Sequence, residues 1–111
     1  MSKGDFLGEF EHVVLLAVAR QSPDGYGMTL RREIEQRAGR PVSIGPVYAT
    51  LRRLENKGYV RSCTGDPTPV RGGRATRTFQ INPSGVRALQ ETRGMLDRMW
   101  KGIRFNNMRH H

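Results

Sequence analysis

The chain has 111 residues, 36% of them hydrophobic and 7% aromatic, with 19 Lys and Arg against 10 Asp and Glu and a formal net charge of +9. That length fits one domain with at most one appended element and excludes a multi-domain enzyme. So large a positive excess on so small a surface makes an anionic partner the first expectation.

From Phe6 the apolar residues fall at Phe6, Phe10, Val13 or Val14 and Ala17, which is helical spacing, and Leu15, Leu16 and Val18 carry the apolar surface around the other side. A mostly buried first helix is predicted. Its start holds acids at Asp5, Glu9 and Glu11, where a secretory leader would hold basic groups. Its seven-residue apolar run, Val13 to Ala19, is far short of what a bilayer span needs. A cytoplasmic protein with no membrane partner is expected. His12, in this apolar segment, reads as a structural side chain.

Ser22-Pro23-Asp24-Gly25 breaks the chain as a turn. A second helix follows, with Tyr26, Leu30, Ile34 and Ala38 four apart on one face and Arg31, Arg32, Glu33 and Glu35 elsewhere. Gly39-Arg40-Pro41 ends it, because glycine suits a left-handed C-terminal position and proline cannot continue the helix. Ser43 suits the N-cap of a third helix whose inner face reads Ile44, Val47, Tyr48, Leu51 and Leu54. Pro46 is tolerated there, since the first turn needs no amide donor, and Gly58 ends the helix. The opposite face carries Gly45, Ala49, Arg52, Arg53 and Asn56, flanked by Pro46, Thr50 and Lys57.

After Tyr59 the spacing changes to two. Val60 to Thr64 and Ala75 to Ile81 are short runs rich in β-branched residues, bracketing a basic loop from Gly65 to Arg74 with Gly72-Gly73 at its tip. This pattern predicts a hairpin, which must lean on the helices through Phe79 and Ile81 because an isolated hairpin is marginal. Cys63 is the only cysteine, so no intrachain disulfide and no cysteine-pair metal site is expected, and the thiol reads as strand packing.

Asn82-Pro83-Ser84-Gly85 opens a final helix, capped by Asn82 or Ser84 and extending to about Phe105. Val86, Arg93 and Trp100 repeat at sevens, with Leu89, Leu96 and Ile103 between them, which is an a/d seam holding one arginine. Met95 and Met99 widen that stripe beyond what three short helices can cover. Part of it is therefore expected to meet a second copy of the chain, the alternative being that it packs on its own first helix. Arg93 has Glu91 and Asp97, of its own chain or of a second copy, as candidate ion-pair partners, or else snorkels out of the stripe.

The charge is not evenly spread. Residues 1–30 carry two basic and four acidic groups, residues 31–80 carry eleven and four, and arginine outnumbers lysine sixteen to three. The middle of the chain reads as a face for a polyanion, arginine's planar fork suiting phosphates and guanine edges, with a solubilising surface as the alternative. No catalytic set appears: His12 has no nucleophile in its own segment, no metal-ligand spacing occurs, and Gly72-Gly73 lies inside a hairpin rather than between a strand and a helix. Neither an enzyme nor a cofactor is expected.

The order helix, helix, helix, hairpin, helix defines the expected fold class: mainly α with a small β-hairpin (α+β), a winged helix-turn-helix with a C-terminal dimerisation helix. The expected division is a DNA-binding domain over residues 1–83 with its wing at about 60–81, a dimerisation helix over 84–105, and a disordered tail over 106–111. The third helix would enter a major groove and the hairpin loop would lie beside the backbone.

Nearly the whole chain then resembles the PadR family of bacterial transcriptional regulators. The resemblance is carried by Leu7-Gly8-Glu9-Phe10-Glu11 leading into Val13-Val14-Leu15-Leu16-Ala17, by Tyr26-Gly27, by the stretch from Ser43 to Val60, by Gly72-Gly73-Arg74-Ala75 and by Ile81-Asn82-Pro83-Ser84-Gly85. It implies a homodimeric winged-helix repressor on a near-palindromic operator. In some members a small hydrophobic or phenolic ligand releases the operator, and in some small relatives a tryptophan of the C-terminal helix lines the ligand cavity. Here Leu96 takes about that tryptophan's place and Trp100 lies one turn later, so these two are the candidate ligand-lining residues.

The candidate contacts to double-stranded DNA are Ser43, Gly45, Tyr48, Ala49, Arg52, Arg53 and Lys57 around the third helix, and Arg71, Gly72, Gly73, Arg74 and Arg77 in the wing. Arg52 and Arg53 point away from the apolar face, toward bases or phosphates, or else form a solvated helix face. Gly45 and Ala49 permit close approach or are fillers. Tyr48 borders the core stripe, where its ring can pack while its hydroxyl reaches a phosphate. Arg71 and Arg74 suit a loop tip against a backbone or minor groove, or a solvated tip, and Arg77 extends that contact or sits outside it. Lys57 and Arg31 or Arg32 are candidates for nonspecific phosphate contacts. The candidate dimerisation residues are Val86, Leu89, Arg93, Leu96, Met99, Trp100 and Ile103. The rival reading is a winged-helix adaptor that binds another protein without sequence-specific DNA binding.

Overall fold

Helical spacing in the first half of the chain becomes three helices, and the alternation after Gly58 becomes strands, in a computed structural model that describes residues 6–65 and 76–106. In chain order the elements are α1 (Glu9–Gln21), β1 (Gly25–Tyr26), α2 (Gly27–Ala38), α3 (Ile44–Asn56), β2 (Val60–Thr64), β3 (Arg77–Ile81) and α4 (Pro83–Trp100). The core lies where α1, α2 and α3 meet. Leu15 and Val18 of α1, Leu30 and Ile34 of α2, and Val47, Leu51 and Leu54 of α3 are all buried there. Each such side chain contributes about 1.5–3 kcal/mol relative to exposure.

Helix ends follow the expected rules in one place and depart in two. Gly39 closes α2 in the left-handed conformation at φ 66°. Ser43 and Asn82 stand at the N-caps of α3 and α4 with extended backbone, yet neither makes a capping hydrogen bond with its side chain. Asn82 Nδ2 instead donates to the Gly58 carbonyl at 3.0 Å, and the Ser84 hydroxyl donates to the same oxygen at 2.6 Å. Both side chains are spent on tying α4 to the turn after α3.

The sheet has one more strand than the predicted hairpin. Its order is β1-β3-β2, all antiparallel, with Gly25 opposite Phe79 and Val60 opposite Ile81. β1 is two residues long, too short for any alternation to be read, and it exists because α1 and α2 bring it against β3. Tyr26 therefore belongs to this strand and not to the face of α2. At the other end of that helix Ala38 is exposed. Phe79 is buried and anchors the sheet on the helices as expected, whereas Cys63 is exposed in β2 and does not pack inside.

The final helix is shorter than its spacing suggests. It begins at Pro83 and ends at Trp100, beyond which Gly102 takes φ 82°, so Ile103 lies past the helix. The stripe that packs inward is Gly85, Ala88 and Thr92, the small residues next to the heptad seam. Thr92 accepts a buried hydrogen bond from the Leu7 amide at 3.1 Å, which ties α4 to the segment before α1. Gly85 sits so close to β2 that a Cβ there would fall on the Tyr59 carbonyl oxygen. After Thr92 the helix stands away from the core. A radius of gyration of 17.0 Å agrees, against about 13 Å for a compact chain of this length.

Candidate nucleic-acid interface

Because α3 turns 100° per residue, burying Val47, Thr50, Leu51 and Leu54 leaves Gly45, Pro46, Ala49, Arg52, Arg53 and Asn56 exposed on the other side. Thr50 belongs to the buried side, not to the flank of the exposed face. At the start of α3 the exposed surface is small and uncharged. The cations come in its later turns, as read from the sequence.

Tyr48 occupies the border and is 41% exposed. Its ring lies against Gly27, where a Cβ would fall on the hydroxyl, so one edge of the tyrosine packs on the start of α2 while the rest faces outward. Beside it a small cleft is lined by Tyr48, Leu51, Arg52, Glu55, Arg77 and Phe79. Three of the predicted contact residues, Tyr48, Arg52 and Arg77, are thus brought together although up to 29 positions separate them in the chain.

The cations of α3 are not equivalent. Arg53 donates to the Thr50 hydroxyl at 3.1 Å and lies 3.6 Å from Glu11 of α1, and Lys57 pairs with the same Glu11 at 3.0 Å. Burial pushes the Glu11 carboxyl up, but hydrogen bonds from Lys57 and the Gly8 amide, with the charges of Lys57 and Arg53, outweigh it and hold the group below the ordinary glutamate range. Arg52 makes no ion pair among the described residues. Arg31 is held by Glu35 at 2.7 Å within α2.

At the root of the wing, Arg77 pairs with Glu55 of α3 at 3.1 Å and donates to the Ser62 hydroxyl of β2 at 3.0 Å. Above that level the Gly65 amide bonds to the Thr76 carbonyl at 3.0 Å. Arg71, Gly72, Gly73 and Arg74 lie outside the described residues, as do His110 and His111. Glu11, Glu55 and Ser62 are the participants that sequence reasoning missed. No spacing rule links Glu11 to Lys57 or Glu55 to Arg77, and their only signal was an acid in an otherwise basic neighbourhood.

On α4 the heptad seam is largely uncovered: Val86 and Leu96 are 40% exposed, Trp100 64% and Met99 69%, with Ile103 also exposed. Leu89 is half-buried against the core. Arg93 is exposed and lies 3.8 Å from Asp97, the partner it finds of the two expected, at a distance that makes the pair weak. A groove between α1 and α4 is lined by His12, Leu16, Leu89, Leu96 and Trp100 with Gln90, Arg93 and Asp97 at its polar side. Trp100 meets Phe105 edge-on, ring centres 6.4 Å apart. Among the described residues no group of His, Cys, Asp and Glu could hold a metal ion, and no helix is long and apolar enough to cross a membrane.

Residues 15–91 match the transcriptional regulator PadR-like family. The transcriptional regulator Rv3488 of Mycobacterium tuberculosis is 36% identical over 78 residues, which span 70% of this chain and 68% of that protein. Solved structures of PadR-family regulators are among those that share the fold. A PadR family transcription regulator from Clostridium difficile R20291 has a TM-score of 0.70 at 17% identity, covering 90% of this chain and 97% of its own. One from Eggerthella lenta has a TM-score of 0.67 at 22% identity, covering 85% and 81%. The winged-helix arrangement of three helices, a small antiparallel sheet and a C-terminal helix is that of these proteins, which are regulators and not enzymes. Family match, relative and fold agree with the exposed arginine face of α3, and the chain belongs to the PadR-like family of transcriptional regulators.

Proposed function

We propose that the protein is a cytoplasmic repressor that binds a near-palindromic operator in a sequence-specific way as a homodimer. One observation carries this reading: the exposed side of α3 presents Gly45 and Ala49, which let a backbone come close, followed by Arg52 without a carboxylate partner among the described residues. Such a surface suits a major groove, where an arginine bidentate to guanine contributes about 1–3 kcal/mol of discrimination. Ser43 and Tyr48 reach phosphates at its edge, Arg53 and Lys57 add phosphate contacts from beside Glu11, and Arg71 and Arg74 hold the wing tip, with Gly72 and Gly73, against the backbone.

The homodimer is supported by the uncovered seam of α4. Leu96, Met99 and Trp100 are large, apolar and exposed in a single chain, and a dimer joined through them would read two half-sites about one helical turn apart. Release by a small hydrophobic or phenolic ligand is supported by the groove in which Leu96 and Trp100 face His12 and Leu16, an apolar wall edged by Gln90, Arg93 and Asp97. A division into a DNA-binding unit through residue 83 and a dimerisation helix after it follows from the same reading.

Selection of bound duplexes from a random pool tests it. Palindromic winners with half-sites about one helical turn apart are expected, with Arg52→Ala relaxing base choice at one position of each half-site. Equal affinity for the selected and a scrambled duplex between 50 and 200 mM salt, conditions across which phosphate contacts are strongly weakened, would defeat the sequence-specific reading.

A further inference from the structure

Arg77 stands at the base of the wing, where a basic residue next to a basic loop invites assignment as a phosphate contact. Its surroundings argue otherwise. The Glu55 carboxylate, on the last turn of α3, accepts a hydrogen bond from the Ser62 hydroxyl at 2.7 Å through Oε2 and from Arg77 Nη2 at 3.1 Å through Oε1. Arg77 Nη2 donates to the Ser62 hydroxyl as well, at 3.0 Å, closing a triangle over α3, β2 and β3. The guanidinium carbon lies 5.7 Å from the centre of the Phe79 ring, which is itself buried. Three elements and the core are therefore joined at one node, and that node sits where β2 and β3 leave toward residues 66–75, with Thr64 opposite Arg77.

Charge decides between the two roles. Arg77 spends Nη2 on this node and has only its other N–H groups to turn outward, and its pair with Glu55 is neutral overall, so it draws a polyanion far less than a lone guanidinium would. A neutral pair displaces no counterion, so it adds nothing to the salt dependence of binding. The structure assigns Glu55, Ser62 and Arg77 a positioning role: they lock the root of the wing to the C-terminal end of the recognition helix, so that the two DNA-contacting elements are held at one angle and discriminate sequence as a unit. This assignment rests on the DNA-binding reading above and removes Arg77 from the set of direct contacts.

The experiment uses the full chain with Arg77→Gln, Glu55→Gln and the double variant. Thermal unfolding and amide exchange of β2 and β3 are measured without DNA, and affinity for selected and scrambled duplexes is measured over a salt series. Expected without DNA is non-additivity, the double variant unfolding close to either single one, with faster exchange at the β2–β3 amides in all three. Additive effects would overturn the assignment. With DNA, Arg77→Gln should leave the slope of log affinity against log salt unchanged, and the ratio of selected to scrambled affinity should fall several-fold in both single variants. A slope shallower by about 0.9 for Arg77→Gln would make it a phosphate contact and overturn the role proposed here. A Glu55→Gln variant that keeps the full ratio would do the same. Wild-type protein that binds both duplexes equally would instead refute the sequence-specific reading, and the assignment would fall with it whatever the unfolding cycle shows about the pairing.

Discussion

The ring of Tyr48 closes over Gly27: a Cβ built on that glycine would fall on the tyrosine hydroxyl and lie 2.9 Å from Cε1. The atoms that would have to move are the far end of a half-exposed side chain and not backbone. Gly27 is itself buried beneath that ring, so Gly27→Ala should swing the tyrosine outward at a cost of about 1 kcal/mol, the low end for an overpacked site. Its effect on DNA affinity should be larger than its effect on the melting temperature, because Tyr48 borders the exposed face of α3. Equal losses in Gly27→Ala and Tyr48→Ala, with no further loss in the double variant, would identify the displaced ring as the cause.

Gly85 offers the contrast. A Cβ there meets the Tyr59 carbonyl oxygen and comes within 2.9 Å of Ile81 Cγ1, and the Asn82 amide already bonds to that same carbonyl at 2.9 Å. Backbone held on two sides cannot step aside. Gly85→Ala should destabilise the protein by about 1–3 kcal/mol, as overpacked sites do, which thermal or denaturant unfolding would read directly. A variant as stable as the parent would mean that α4 can lift off β2 freely.

Thr92 is buried, and its hydroxyl is the acceptor for the Leu7 amide across 85 positions of sequence. Thr92→Val keeps the shape and leaves that amide unpaired, so a loss of about 1–3 kcal/mol is expected, while Thr92→Ser should retain most of the stability. Amide exchange at Leu7 should rise in the valine variant and not in the serine one.

Acid should remove a defined part of the stability. Glu11 and Glu33 are both held below the ordinary glutamate range, Glu11 against the upward push of burial by Lys57, Gly8 and Arg53, and Glu33 by hydrogen bonds from Gln21 and Arg37. A carboxyl whose value is lower folded than unfolded stabilises the fold fully above its unfolded value, and that contribution fades as pH falls through the unfolded value toward the folded one. Stability should thus decline below the ordinary glutamate range, less so in Glu11→Gln, whose contribution is already absent. The same variant frees Lys57 and Arg53, so its DNA binding should be tighter on every sequence.

Local pattern was enough for much of this molecule. Helices α1, α2 and α3, the glycine end of α2 and the two long strands all follow from the spacing of apolar residues and from turn chemistry, because both depend on neighbours within four positions. The arginine face of α3 was legible for the same reason, since burying one side of a helix exposes the other.

What contact across the fold decided could not be read that way. The strand at Gly25–Tyr26 is paired only because β3 is brought beside it, the side chains of the N-cap Asn82 and of Ser84 are turned to the Gly58 carbonyl, and small residues rather than the heptad seam face inward on α4. Above all, which arginines are available was settled by carboxylates far along the chain: Glu11 holds Arg53 and Lys57, and Glu55 holds Arg77. Sequence determined where the positive charges lie along the chain, through their order on each element. Only tertiary structure decided which of them are neutralised, because Coulomb attraction acts through distance in space, and residues 22 to 46 positions apart become neighbours only when the helices and strands pack.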